Sequence, residues 1–273
     1  SLINSPTLTY YKPKPALPQS TDESNYCTAP VVLNSVIKIS HGWEHIVALR
    51  CDKTVVAWGN NDENQLGNSN ITLNRSLFGV PVESSSNVSI SNIVDVAAGV
   101  YNSMAVDGDG YAYYWGYSLL DLIGNPGPNT IFPEKLRINS SSLINNAVAV
   151  SAGFDHLVVL LKDGTVRTFG SNTFGQLGVD NITTPSSIYG VQVQTNSGVL
   201  SNIIAISAGD QMTLALDKSG DVYSWGFNNN GQLGLGVPSF PFYEKYAQKI
   251  TTLSDIKSIF TQVATSMAIK NNN

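Results

Sequence analysis

The sequence has three histidines, and two of them occupy matching places. His45 and His156 each stand three residues after a glycine, whereas His41 directly precedes the first of these glycines. The sequence shows no His/Cys/Asp cluster at metal-ligand spacing and no nucleophile elbow. Since a histidine that recurs in this way is more typical of a scaffold than of catalysis, we predict buried histidines that tie one repeat to the backbone of the next. We predict no catalytic residue, no metal and no other cofactor.

Acidic residues recur close to the same glycines. Glu44, Asp155 and Asp210 fall in short turns between apolar runs, where a ring-shaped fold would place them around the mouth of its channel. Glycoside hydrolysis needs two carboxylates at a controlled separation. Asp210 does not share the repeat position of the other two, so we favour solvated turn acids. A carbohydrate-active enzyme that uses channel carboxylates is kept as an alternative function.

One sequence unit recurs four times and frames all of these residues. Its opening glycines are Gly42, Gly99, Gly153 and Gly209, at steps of 57, 54 and 56 residues. Each glycine is followed by an apolar run, a turn of the Asp-Gly type and an aromatic–glycine pair. Three of the units continue with Gln-Leu-Gly. Self-similarity at a nearly fixed period is the signature of a repeat architecture.

The combined pattern resembles the repeat of the regulator of chromosome condensation (RCC1) family: A-G-x-x-H-x-x-A-L, then D-G-x-V-Y-x-W-G, then N-x-x-G-Q-L-G. The resemblance covers nearly the whole chain and implies an all-β fold, a β-propeller with one four-stranded blade per repeat. It also implies an alternative function, guanine-nucleotide exchange on a small GTPase, although we find no long inserted wedge. We predict one domain, 1–273, with repeats at about 37–92, 93–146, 147–202 and 203–253, and a half-blade at 254–273.

Each repeat contains four β-prone runs. In the first repeat these are Val36–Ser40, His45–Leu49, Val55–Trp58 and a less regular run near Val80–Glu83. The first two runs are almost continuously apolar, as expected for strands buried on both faces. Turns between the second and third runs contain Asp-Gly in several repeats, which favours tight hairpins. Asp107–Gly110 resembles the start of a calcium loop but lacks the later ligands, so we predict a hairpin turn there.

The fifth blade has only two runs of its own at the C-terminal end of the sequence. The N-terminal segment, 1–36, offers closing strands and a linker, with Pro30–Leu33 as the fourth strand. We predict five blades, the last closed by these strands. A strand donated to a neighbouring molecule, and a chain that is part of a larger ring, stay open. The proposed third strand, whose Tyr10 takes the aromatic position, comprises Thr7, Leu8, Thr9, Tyr10 and Tyr11.

The long connections between third and fourth strands are the predicted binding surface. Function often lies on loops that a rigid scaffold presents, and aromatic side chains fixed by prolines are typical of interface hot spots. We predict a non-enzymatic module that binds a protein partner and has the option of self-association. The alternative is that these aromatics cover the outer edge of a blade. The candidate partner-binding residues are Tyr117, Phe174, Phe227, Phe240, Phe242 and Tyr243.

Composition narrows the class of partner. Charged residues make up only 13% of the chain and the net charge is −5, which disfavours nucleic acid. No apolar run approaches the ~18–20 residues that span a bilayer. Abundant Asn, Ser and Thr favour a secreted or cell-surface protein, with the cytoplasm left open. The sequence also leaves open whether Cys27 and Cys51 are bonded, because the predicted topology places them on opposite sides of adjacent blades.

Overall fold

The computed structural model describes residues 35–70, 74–119, 127–180, 186–236 and 242–271. Four antiparallel sheets of four strands follow one another along the chain, and each is a simple meander. They are the predicted blades, with strands numbered in chain order. Their strands are β1 (Val36–His41), β2 (His45–Arg50), β3 (Val55–Asn60) and β4 (Arg75–Pro81); β7 (Ile93–Ala98), β8 (Asn102–Asp107), β9 (Ala112–Gly116) and β10 (Thr130–Lys135); β11 (Ala147–Ala152), β12 (His156–Leu161), β13 (Val166–Ser171) and β14 (Ser186–Gln192); and β17 (Ile203–Ala208), β18 (Met212–Asp217), β19 (Val222–Phe227) and β20 (Tyr243–Lys249).

The first strands of consecutive blades contact one another, from β1 to β7, β11 and β17, so they form the inner side of the array. The second strands β8, β12 and β18 are buried at every residue. This burial on both faces explains their largely apolar sequence. The hydrophobic core therefore lies in layers between successive blades, and Trp115, Phe169 and Trp225 are among its largest fully buried side chains.

A two-stranded sheet follows the fourth blade, as the sequence predicted. It consists of β21 (Ile256–Gln262) and β22 (Thr265–Lys270). Its register repeats that of the fourth blade, since Ile259 pairs with Ala268 as Ile206 pairs with Ala215. The predicted closing strands, Thr7–Tyr11 and Pro30–Leu33, lie outside the described residues. The fifth blade thus remains a prediction beyond this pair of strands.

Two short hairpins connect blades in places where the sequence predicted none. They are β5 (Glu83–Ser85) with β6 (Val88–Ser89), and β15 (Gln194–Thr195) with β16 (Gly198–Val199). The predicted fourth run near Val80–Glu83 was wrong in extent, because β4 ends at Pro81. Glu83 leaves the blade edge because its buried carboxylate accepts hydrogen bonds from the backbone and hydroxyl of Ser69, at 3.0 and 2.7 Å.

The predicted hairpin turn at Asp107–Gly110 is confirmed. Its Asp107 carboxylate accepts hydrogen bonds from the backbone N–H groups of Asp109 and Tyr111, at 3.0 and 2.9 Å. Cys51, in the turn after β2, is disulfide-bonded, and the second cysteine of the sequence, Cys27, lies outside the described residues. No helix in the described ranges is long and apolar enough to cross a membrane.

Candidate interaction surface

The turns between first and second strands and the long connections between third and fourth strands emerge on the same side of the blades, which we call the upper face. Backbone hydrogen bonds hold the two sets of loops together. In the second blade Tyr117 N–H donates to the Tyr101 carbonyl at 3.0 Å, and in the third Ser171 N–H donates to Asp155 at 2.8 Å. The start of each long connection is therefore fixed to the adjacent turn.

The repeated histidines lock neighbouring blades beneath this face. His45 Nε2 lies 2.9 Å from Ser103 Oγ, and His156 Nε2 lies 2.8 Å from Thr213 Oγ1. The tie between repeats is as predicted, although its partner is a side-chain hydroxyl and not backbone. Burial lowers the pKa of His45 to about 4, so its imidazole is neutral at physiological pH. His41 is exposed at the edge of the first turn.

Each buried indole in the second and fourth blades is held by the loop of the preceding blade. Trp115 Nε1 donates to the Gln65 carbonyl and Trp225 Nε1 to the Gln176 carbonyl, both at 3.0 Å. Ser103 Oγ donates to the same Gln65 carbonyl at 2.8 Å. The Gln-Leu-Gly segments are thus sockets for the next blade, and they make the upper face a rigid platform.

An aromatic cluster lies on this platform across three blades. Tyr101 is its centre, with ring centroids 6.2 Å from Trp43, 5.9 Å from Tyr117 and 6.1 Å from Phe154. Trp43 is 68% exposed and Phe154 37% exposed. We call Trp43, Tyr101, Tyr117 and Phe154 the aromatic cluster. Three of the four were missed in the sequence, although their position one or two residues after an opening glycine is a recognisable signal.

The predicted partner-binding aromatics do not form a single patch. Tyr117 belongs to the aromatic cluster, whereas Phe174 packs edge-on against Phe227 with centroids 4.8 Å apart. Tyr243 pairs with Phe227 at the start of β20, and Phe242 beside it is 44% exposed. The loops and strand ends that carry these five described residues all lie at the upper face. Phe240 lies outside the described residues, and the binding role of the whole set stays a prediction.

The turn acids take two different positions. Glu44 accepts a hydrogen bond from Asn60 Nδ2 at 3.2 Å, and Asp155 accepts two from Gln176 Nε2 at 2.9 and 3.0 Å, so both are held against loops of their own blades. Burial raises the pKa of Asp210, and the charge of Asp155 raises it further while His156 acts in the opposite direction. Among the described residues, no group of three or more His, Cys, Asp or Glu side chains could hold a metal ion.

Charge is divided unevenly between the two ends of the blades. Basic residues of the described ranges gather near the opposite ends, at turns such as those of Lys53, Lys162 and Lys218. The upper face carries Arg75 and Lys245 against a larger number of carboxylates. Those acidic residues are Glu44, Asp62, Glu63, Asp155, Asp180, Asp210 and Glu244.

Hydrogen bonds from side-chain hydroxyl and indole groups join blades to the loops of their neighbours. Repeated blades of this kind define a β-propeller, whose long loops lie on one face. The chain belongs to the regulator of chromosome condensation (RCC1) repeat family, as its sequence motifs predicted. Two profiles with the description "Regulator of chromosome condensation (RCC1) repeat" match it, one at residues 54–106, 163–216 and 219–266 and the other at 36–65, 147–176 and 203–232.

Individual relatives agree with this assignment. Protein pim1 of Schizosaccharomyces pombe is 29% identical over 217 residues, which cover 75% of this chain and 39% of pim1. The probable E3 ubiquitin-protein ligase HERC4 of Homo sapiens is 30% identical over 214 residues, 75% of this chain and 18% of HERC4. The chain therefore spans less than half the length of these curated relatives.

The fold assignment also agrees with a solved structure. The crystal structure of Prp20p from Saccharomyces cerevisiae superposes with a TM-score of 0.68 at 19% identity and covers 89% of this chain and 58% of Prp20p. At this identity the likeness concerns the fold, and it confirms the predicted all-β propeller class.

Proposed function

We propose that this chain is a non-enzymatic interaction module that binds a protein partner through its upper face. The observation that carries the proposal is the aromatic cluster, in which the exposed Trp43 packs against Tyr101 on blades that are joined by hydrogen bonds. Tryptophan and tyrosine supply large contact areas at low entropic cost and dominate interface hot spots. Phe174, Phe227, Phe242 and Tyr243 would extend the contact over the third and fourth blades.

The family gives this proposal its context. Yeast Prp20p, which shares the fold, has been described with binding properties to Gsp1p and histones, so a propeller of this kind has supported protein recognition. For the present chain, the two conditions for recognition are preorganised loops and exposed aromatic area. Both support a binding role for the upper face.

The test compares the upper face with the opposite end of the blades. A Trp43→Ala/Tyr101→Leu variant should lose the partner that the wild-type protein retains in affinity purification and in reconstitution with the purified partner. Val199→Ala is the control, since Val199 is an exposed apolar residue of the β15–β16 hairpin away from the cluster. Circular dichroism should show both variants folded. Equal partner binding by the wild type and the upper-face variant would refute the proposal.

One further outcome bears on the same surface. Accelerated nucleotide release from a small GTPase in the presence of the purified chain would replace the non-enzymatic proposal with the exchange activity implied by the family name.

We also propose an extracellular or cell-surface location. The disulfide at Cys51 supports it, because disulfides persist in oxidising compartments.

A further inference from the structure

We infer that the partner segment recognised by the upper face is basic, and that one of its lysine or arginine side chains rests on the rings of Tyr101 and Phe154 beside Asp155 and Asp210. The inference rests on the proposed function and specifies the chemistry of the partner. It concerns a docking surface for protein side chains and requires no group beyond those that the chain supplies.

Backbone hydrogen bonds between neighbouring turns bring the rings and the carboxylates together. Val100 N–H donates to the Gly153 carbonyl at 3.3 Å, and Phe154 N–H donates to the Asp210 carbonyl at 2.9 Å. These bonds run from blade to blade around the inner rim of the upper face. Phe154 is thereby fixed between Asp155, its neighbour in sequence, and Asp210, its neighbour across the blade boundary. The backbone thus places the turns of the aromatic cluster and of the acidic pair beside one another on the upper face.

The carboxylates on this surface lack lysine or arginine partners among the described residues, and the basic group beside Asp155 is the buried ring of His156, whose Nδ1 lies 3.8 Å from Asp155 Oδ1. Neither Asp155 nor Asp210 forms an ion pair with a lysine or arginine of the described ranges. At the opposite end of the blades, by contrast, Asp221 lies 2.6 Å from Lys249 Nζ. Burial, and then the charge of Asp155, raise the pKa of Asp210, although His156 acts in the opposite direction. A bound cation would supply the missing charge.

Aromatic faces and carboxylates favour the same ligand. The negative face of an aromatic ring attracts an ammonium or guanidinium group, and the attraction is stronger where water is partly excluded. The acidic excess of the upper face would also steer a basic segment towards it. A neutral apolar segment could use the rings but would leave the carboxylates unpaired. A nucleic-acid backbone would be repelled by them.

The direct test uses isothermal titration calorimetry of the whole chain with defined probes. One probe is a short flexible peptide of lysine, arginine and glycine, and the other has glutamate at every basic position. We expect the basic peptide to bind and the acidic one not to bind. The affinity should fall as salt is raised, because partly exposed charges are screened.

Two variants locate the binding. Tyr101→Leu removes the central ring and should weaken binding of the basic peptide about tenfold, and Asp210→Asn should weaken it several-fold and reduce the salt dependence. Asp221→Asn is the matched control, since it removes the same charge from the opposite end of the blades and should leave the affinity unchanged. Thermal unfolding of each variant shows whether it remains folded at the temperature of titration.

The outcomes separate this inference from the proposed function. If the basic peptide does not bind, or if Asp221→Asn weakens binding as much as Asp210→Asn does, the inference is overturned. If that happens while Trp43→Ala/Tyr101→Leu still abolishes binding of the native partner, the proposed function stands with a partner of different chemistry. If those substitutions leave partner binding intact, the proposed function fails as well.

Discussion

At the scale of single residues, the repeat histidines act as neutral hydrogen-bonding groups in this propeller. His45 is buried and meets Ser103 of the next blade. Asn102 occupies the same repeat position in the second blade, but Leu157 stands where its hydroxyl partner would be, and both polar atoms of the Asn102 amide lack a hydrogen bond. The polar tie is therefore absent between the second and third blades, whose interface is built from an apolar cluster that includes Leu157 and Phe169.

The lowered pKa of His45 predicts a dependence of stability on pH. Its folded-state pKa is about 4 against an ordinary value of 6.5 for histidine, because burial disfavours the charged form. Between these values the unfolded chain binds more protons, so stability falls as the pH drops through 6.5 towards 4 and is constant from this source above 6.5. The full effect on the free energy of unfolding is about 3 kcal/mol.

Urea unfolding at pH 7 and pH 4.5 would measure this dependence. His45→Gln should be less stable than the wild type at pH 7 but should lose less stability on acidification. His41→Gln provides the control, since it changes an exposed histidine and should preserve the wild-type pH dependence. An identical loss on acidification in the wild type and His45→Gln would contradict the assignment.

At the scale of elements, the sequence predicted those strands that are buried on both faces and missed those that depend on local polar contacts. The first three strands of each blade are largely apolar and are bounded by recurring glycines and turn residues, so their positions could be predicted directly. The β5–β6 hairpin has no such run; it depends on the carboxylate of Glu83 and on a positive φ at Asn87. The aromatic cluster could not be predicted as a unit, since Trp43 and Tyr101 meet only through the packing of two blades.

The Gln-Leu-Gly socket offers a prediction at this scale. A Cβ atom at Gly178 would lie 2.7 Å from Val193 Cγ1 and 3.0 Å from Trp225 Nε1, whereas one at Gly231 would meet nothing within 4 Å. Both glycines have a similar positive φ, 69° and 75°. Gly178→Ala and Gly231→Ala therefore share the backbone strain, and only the first crowds the socket.

We expect Gly178→Ala to destabilise the fold by about 1–3 kcal/mol more than Gly231→Ala, the usual cost of overpacking a filled site. Chemical denaturation of both variants measures the difference. The indole fluorescence of Gly178→Ala should also change, because Trp225 must move to admit the methyl group. Equal destabilisation by the two substitutions would show that the socket is loosely packed.

At the scale of the whole molecule, the array of blades has two ends that differ from its interior. At one end, Met267 and Ile269 on β22 are 53% and 51% exposed, and at the other Ile37 and Ile39 on β1 are exposed as well. In repeat architectures, terminal units normally carry a polar outer face. The exposed apolar side chains at both ends of the blade array are therefore expected if further strands cover them and complete a ring.

The Gln-Leu-Gly socket of the fourth blade, at Gln232, indicates which side chain such a strand would contribute. Ser266 Oγ donates to the Gln232 carbonyl at 2.7 Å, as Ser103 does to Gln65 in the first socket. The Gln65 carbonyl also accepts the indole N–H of Trp115 from the third strand of its neighbour. By the same geometry, a third strand beside β22 would place an aromatic hydrogen-bond donor at Gln232, and Tyr10 of the Thr7–Tyr11 run supplies one.

We therefore predict closure of the fifth blade by the N-terminal segment of the same molecule. The full chain should stay monomeric in light scattering over a wide range of concentrations. Deleting residues 1–18 should lower its melting temperature and cause association, because β22 would be left as an edge that can pair with other chains. A peptide of residues 1–18 added in trans should restore the melting temperature, whereas the same peptide with Tyr10→Ala should restore less. If the full chain instead forms a series of oligomers, and deleting residues 1–18 abolishes them, the segment is exchanged between molecules. Association would then require the N-terminal strand, whereas closure within one molecule predicts that its loss causes association.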